Sequence, residues 1–177
     1  MTNYCNIASG HAVHGSYHDT EYGFPTTNES ELFERLTLEI FQAGLSWLIV
    51  LKKREGLKRA FKYFDVGHVS RFTKRDMKLL RSDTSIIRNQ LKIEATVHNA
   101  SIIMGFRQSH GGFSNWLMSN HPQNNYDWKS LFKRNFKFTG AVVVHEFLLS
   151  TGYLPGAHSE NCPVANVVLG MKPPWKN

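Results

Sequence analysis

The residues best suited to hold a metal stand at the two ends of this chain: Cys5 and His18 early, His158 and Cys162 late, and these two are its only cysteines. The late pair is spaced His-x3-Cys, so both side chains can turn toward one ion on a loop or helical turn. Two Cys and two His form a closed tetrahedral zinc set with no position left for a reactive water, so such an ion would be structural and would staple together chain ends that otherwise fray. The halves lie too far apart for a short-range finger motif, and spacing alone also allows an ordinary polar His18 and two thiols buried as small apolar residues. A disulfide is not expected in a reducing cytosol. A second group of interest is Glu39 and Trp47 on either side of Gly44, with Tyr17 beside His18. Each of these side chains could serve a binding site. By residue type alone, Trp47 equally reads as core, Glu39 as the edge of a helix face, and Tyr17 as packing under the metal loop.

The elements that must position these residues read as helices. The first thirty residues are rich in Gly, His, Tyr and Thr and are expected to be irregular, ending at Gly23-Phe24-Pro25. Leu32, Phe33, Leu36, Ile40 and Phe41 build one apolar helix face, with Asn28 or Ser30 as its cap. After Gly44 a second helix runs through Trp47, Val50 and Leu51, and a third is expected around Leu57 to Tyr63. Thr73-Lys74-Arg75-Asp76 has the form of a helix start leading to Leu79-Leu80. A long helix is expected within Ile86 to Phe106, and another over Gly140 to Ser150. Strand-like alternation is scarce, and no repeat or linker divides the chain. The expectation is an all-α fold forming a single domain over residues 1–177.

The longest apolar runs fall well short of a bilayer span, and Met1 to Asn6 lack the basic start and apolar stretch of a secretory signal. A cytoplasmic protein with no membrane partner is expected. The formal charge of +7 favours a polyanionic partner such as nucleic acid. Its basic residues are spread along expected helices, as in Lys52-Lys53-Arg54, Lys58-Arg59, Lys74-Arg75 and Lys133-Arg134, which fits either a basic face or ordinary solvated helices.

Four stretches together resemble the DNA-3-methyladenine glycosylase I family, within the helix-hairpin-helix glycosylase superfamily. Tyr17-His18-Asp19-Thr20-Glu21-Tyr22-Gly23-Phe24-Pro25 is similar to its Tyr-His-Asp-x-Glu-Trp-Gly-x-Pro signature. Glu39-Ile40-Phe41-Gln42-Ala43-Gly44-Leu45-Ser46-Trp47, with Leu51-Lys52-Lys53-Arg54, is similar to its most distinctive block. Ile86-Ile87-Arg88 with Lys92-Ile93 and Asn99-Ala100 follows, and Phe136-Lys137-Phe138-Thr139-Gly140 with His158-x3-Cys162 closes the set. The chain departs from the family pattern at Ile7 and His14, where aromatic residues are usual, at Tyr22, where Trp is usual, and in a shortened segment between His121 and Phe136.

The resemblance implies a monofunctional N-glycosylase that flips 3-methyladenine out of alkylated duplex DNA and hydrolyses its glycosidic bond, acting as a monomer. It implies one structural Zn2+ on Cys5, His18, His158 and Cys162, clamping ends at residues 1–25 and 153–177. It implies Glu39 as the catalytic carboxylate, with Tyr17, Trp47, Tyr22 and His14 around the base. Gly44 and Leu45 would contact the DNA, with Leu45 filling the gap left by the flipped base. Ser82 to Lys92 stands where the family has its hairpin, although without a Gly-x-Gly, and Thr84, Ser85, Arg88 and Lys92 would lie near a phosphate. The superfamily's catalytic Asp is missing from this family, so strand cleavage is not expected. The departures at Ile7, His14 and Tyr22 leave a second reading, a diverged relative that binds damaged DNA and hydrolyses little.

Overall fold

The computed structural model describes residues 4–176, and among them there is no strand. Eleven α-helices follow in order: α1 Tyr4–Ala8, α2 Ala12–Thr20, α3 Glu29–Gln42, α4 Trp47–Ala60, α5 Val66–Val69, α6 Lys74–Ser82, α7 Gln90–Ser109, α8 Phe113–Ser119, α9 Asn125–Asn135, α10 Ala141–Ser150 and α11 Pro163–Gly170. Helix α3 is the axis of the bundle, with α4, α7, α8 and α10 packed around it. The Asn28 side chain accepts from the Glu31 amide to start α3, and Glu29 and Glu31 in the first turn complement the helix dipole. Every residue from Leu32 to Phe41 is buried.

A helix buried all round must satisfy its own charges. Arg35 donates to the carbonyls of Phe24 and Ser150 at 2.8 and 2.6 Å. Glu34 accepts from Arg54 of α4 at 2.7 Å, and the same guanidinium grips both oxygens of Glu21 at 2.6 Å. These bonds lock α3, α4 and the segment after α2 into one frame.

Several expectations are corrected. The first thirty residues are not irregular throughout: α1 and α2 take up nearly half of them, and the imidazole of His11, an unusual cap, accepts from the amides of Val13 and His14. The two helices expected after Gly44 are one, α4, because Leu57 continues the buried face begun at Val50. The long helix starts at Gln90, not near Ile86, since the Asp83 side chain accepts from the Ser85 amide and holds a turn there, and Asn89 caps the helix. Helices α8, α9 and α11 lie where no helix was expected. The Thr73–Asp76 start is a full capping box, and α10 follows Gly140.

Helix α4 rests directly on the turn between α6 and α7. Lys53 donates to the Thr84 carbonyl at 2.8 Å, and at Gly56 a methyl group would stand 2.2 Å from the Ser85 carbonyl oxygen. Gly56→Ala must push the turn away and should destabilise the fold by about 1–3 kcal/mol. Gly105→Ala in α7 meets nothing within 4 Å and should be neutral or stabilising. Urea unfolding of the two variants checks the contrast, and equal effects would contradict the contact.

Candidate active site and metal cluster

The ligand atoms of Cys5, His18, His158 and Cys162 all lie within 4.8 Å of one another. His158 Nδ1 stands 3.2 Å from His18 Nε2, 3.8 Å from Cys5 Sγ and 3.6 Å from Cys162 Sγ, which is 3.7 Å from His18 Nε2. Tetrahedral bonds of about 2.0–2.3 Å require ligand separations of roughly 3.3–3.8 Å, so the set fits a single ion. The outward ring nitrogens are also placed as metal-binding imidazoles require: His18 Nδ1 is 2.7 Å from Asp19 Oδ1, and His158 Nε2 is 2.6 Å from the Tyr22 carbonyl. Gly23 makes this approach feasible, because its φ is +83° and a methyl group there would lie 2.8 Å from Ala157 Cβ.

Behind the cluster lies a cavity of about 490 Å³ lined by Tyr4, Tyr17, Tyr22, Glu39, Gln42, Trp47, Val142, Glu146, Gly156 and Ala157. Three metal-cluster residues are each preceded in sequence by a residue of this wall: Tyr4 before Cys5, Tyr17 before His18 and Ala157 before His158. The rings meet edge-on, Tyr17 with Trp47 at 5.1 Å and Tyr4 with Tyr22 at 5.0 Å between centroids. Glu39 enters from α3 and is 5% exposed. Unlike Glu34 and Arg35 it forms no ion pair or hydrogen bond among the described residues. Burial, and then the neighbouring Glu146, push its carboxyl well above the usual carboxylate range. Burial, and then Glu39, likewise push the Tyr17 hydroxyl up.

A sequence profile of the methyladenine glycosylase family matches residues 7–165. The chain belongs to this family. The DNA-3-methyladenine glycosylase of Haemophilus influenzae is 33% identical over 182 residues, covering 92% of this chain and 98% of that protein. DNA-3-methyladenine glycosylase 1 of Escherichia coli is 34% identical over 177 residues, with coverages of 89% and 94%. A solved 3-methyladenine DNA glycosylase I from Staphylococcus aureus, described for its recognition of 3-methyladenine, superposes with a TM-score of 0.81 at 32% identity, covering 92% of this chain and 96% of that one.

Within this family fold, the cavity brings together Glu39, Tyr17, Trp47 and Tyr22. His14 is not part of its wall: it stands behind Tyr4, whose hydroxyl lies 3.1 Å from His14 Nδ1. Tyr4 and Glu146 are wall residues that the sequence reading missed. Ile7 does not line the cavity and is 47% exposed. Gly44, with φ +81°, and Leu45, 36% exposed, form the turn between α3 and α4. Thr84, Ser85 and Arg88 lie in the turn between α6 and α7, with Thr84 and Arg88 exposed.

Lys92 does not join them, which corrects its expected place near a phosphate. It is buried, and its ammonium donates to the carbonyls of Phe41 and Ala43 at 2.8 and 2.6 Å, closing the C-terminus of α3 under the Gly44 turn. Its backbone amide is taken by the Asn89 side chain.

The raised Glu39 carboxyl has a consequence for stability. The folded protein keeps a proton that the unfolded chain releases above about pH 4.3. Wild-type stability should therefore fall as pH rises from that point toward the raised value, and Glu39→Gln should lack this loss. Unfolding free energies of the two proteins, compared from about pH 4 to about pH 8, should diverge in favour of Gln as pH rises. Parallel curves would show that Glu39 ionises as freely in the fold as outside it.

Proposed function

We propose that this protein is a DNA-repair N-glycosylase that extrudes 3-methyladenine from alkylated duplex DNA and hydrolyses its glycosidic bond, without strand cleavage. The observation that carries this reading is a buried carboxyl, the only unpartnered charged side chain of α3, facing an aromatic cavity in a chain of the methyladenine glycosylase family. Alkylation at N3 makes the base a cation. When the C1′–N9 bond breaks, its electron pair enters the ring and the base leaves neutral, while water adds to C1′ and releases a proton. The leaving group needs no strong acid. The protein's task is to hold the flipped base and prefer it to ordinary adenine.

Glu39 suits that task. It accepts hydrogen bonds from the amino edge of adenine, and a cationic ring beside it favours its ionised form, so capture of the base is coupled to loss of the Glu39 proton. Tyr17 and Trp47 offer ring faces to the cation, each worth about 0.5–2 kcal/mol. Tyr4 supports the active reading over the diverged one, since it adds a further tyrosine ring to the wall formed by Tyr17, Tyr22 and Trp47. The exposed Leu45 is suited to fill the space of the flipped nucleotide, and the turn holding Thr84, Ser85 and Arg88 to meet a phosphate on the same face of α4 that bears Lys53.

The four cluster residues are assigned to a zinc ion, a fit supported by the ligand separations and by the partners of both outward ring nitrogens. With all four positions filled by protein, that ion is structural. Its effect on catalysis is indirect: it fixes Tyr4, Tyr17 and Ala157 against one another.

Two experiments test the proposal. Purified protein should release free 3-methyladenine from methylated DNA, and Glu39→Gln should do so about ten- to a hundredfold more slowly, as expected for loss of hydrogen bonds to a charged group worth roughly 1.5–3 kcal/mol. Equal rates would move the reaction away from Glu39. Metal analysis should find one zinc per chain, and Cys162→Ala should lose it together with several degrees of melting temperature. Metal-free wild-type protein with an unchanged melting point would reject the zinc assignment.

A further inference from the structure

Glu39 shares its cavity with a second acid. Glu146 stands on α10 one helical turn after Val142, and both line the same wall. It is the sole acid of a helix whose Val143, Val144, Phe147 and Leu148 are buried in the core, which turns Glu146 toward the opening. Its one hydrogen bond is accepted from the Tyr22 hydroxyl at 3.3 Å. Among the described residues no cation pairs with Glu146 or Glu39. The nearby guanidiniums are committed elsewhere, Arg35 to two backbone carbonyls and Arg54 to Glu21 and Glu34.

Two acids meet in one aromatic cavity without a countercharge, a conflict to which Glu39 responds: burial first, and then Glu146, lift its carboxyl. A neutral purine entering the cavity leaves this conflict in place. A flat organic cation relieves it. The aromatic walls exclude a small hydrated metal ion as the better occupant, since rings favour a delocalised cation and offer no ligand atoms.

We propose that Glu146 is a second specificity-determining residue of the base pocket, reading the positive charge of an N-alkylated purine rather than its outline. This rests on the function proposed above. Glu146 then acts on capture more than on cleavage. The charge it attracts sits on the ring only while the C1′–N9 bond is intact, and disappears when the electron pair returns to the ring. The same loss of charge weakens the hold on the product.

The test uses binding and excision separately. The binding probes are 3,9-dimethyladeninium, a fixed cation with no bond to cleave, and neutral 9-methyladenine. Glu146→Gln keeps the size of the side chain and an acceptor for Tyr22. It should weaken binding of the cation about tenfold and leave the neutral base within about twofold, at an unchanged melting temperature. On methylated DNA it should lower kcat/KM about tenfold while the maximal single-turnover rate stays within about twofold. Equal weakening of both probes, or no weakening of either, overturns the assignment. Failure of the glycosylase reading shows differently, as wild-type protein that releases no 3-methyladenine while its preference for the cation still depends on Glu146.

Discussion

Helix α3 is buried along its whole middle, and it carries three charged residues into that burial. Such an arrangement holds only if each charge finds a partner, and the partners of Glu34 and Arg35 turn out to organise the molecule. Arg54 reaches across from α4 to Glu34 and Glu21, and Arg35 binds carbonyls from the segment after α2 and from the end of α10. These bonds join regions distant in sequence around one axis. Glu39, on the same helix, has no such partner. In a helix so carefully neutralised, the one unpartnered carboxyl lies at the cavity wall.

The metal cluster extends this logic to the wall of the cavity. Each of three ligands lies next to a wall residue, so the backbone that sets ligand geometry also sets ring geometry. Helix α1 is only five residues long and could not hold Tyr4 in place by its own packing. Its position follows from Cys5 meeting His158 and Cys162, and from the contact between Tyr4 and His14. His14 thus stands one layer behind the cavity wall, where its ring nitrogen meets the Tyr4 hydroxyl.

Much of this was legible in the residues. The periodic face of Leu32 to Phe41 with Asn28 before it and the Thr73–Asp76 box stated their roles through spacing and type, and the Cys and His near each end come together as their types allowed. Other features were hidden for physical reasons. Helix α2 begins on a histidine cap, which lies outside the usual Ser, Thr, Asp and Asn preference. Lys92 looked like a phosphate contact because lysines are normally exposed. Only the three-dimensional meeting of α7 with the end of α3 reveals two carbonyls waiting for an ammonium. Two signals could have been found. Tyr4 flanks a ligand cysteine just as Tyr17 flanks a ligand histidine, and Glu146 is a lone acid in an otherwise apolar helix. In such a helix a carboxylate needs either solvent or a purpose.

The pocket wall is assembled from residues near both chain ends, Tyr4 and Tyr17 from one and Gly156 and Ala157 from the other. During synthesis the early portion therefore waits. The wall of the cavity cannot be complete until Gly156 and Ala157 have emerged to join Tyr4 and Tyr17. A chain stalled before that point carries α3 and α4 but lacks this part of the wall. Because the wall draws on residues 4 and 157 alike, the cavity takes shape only after most of the helices that surround it have been made.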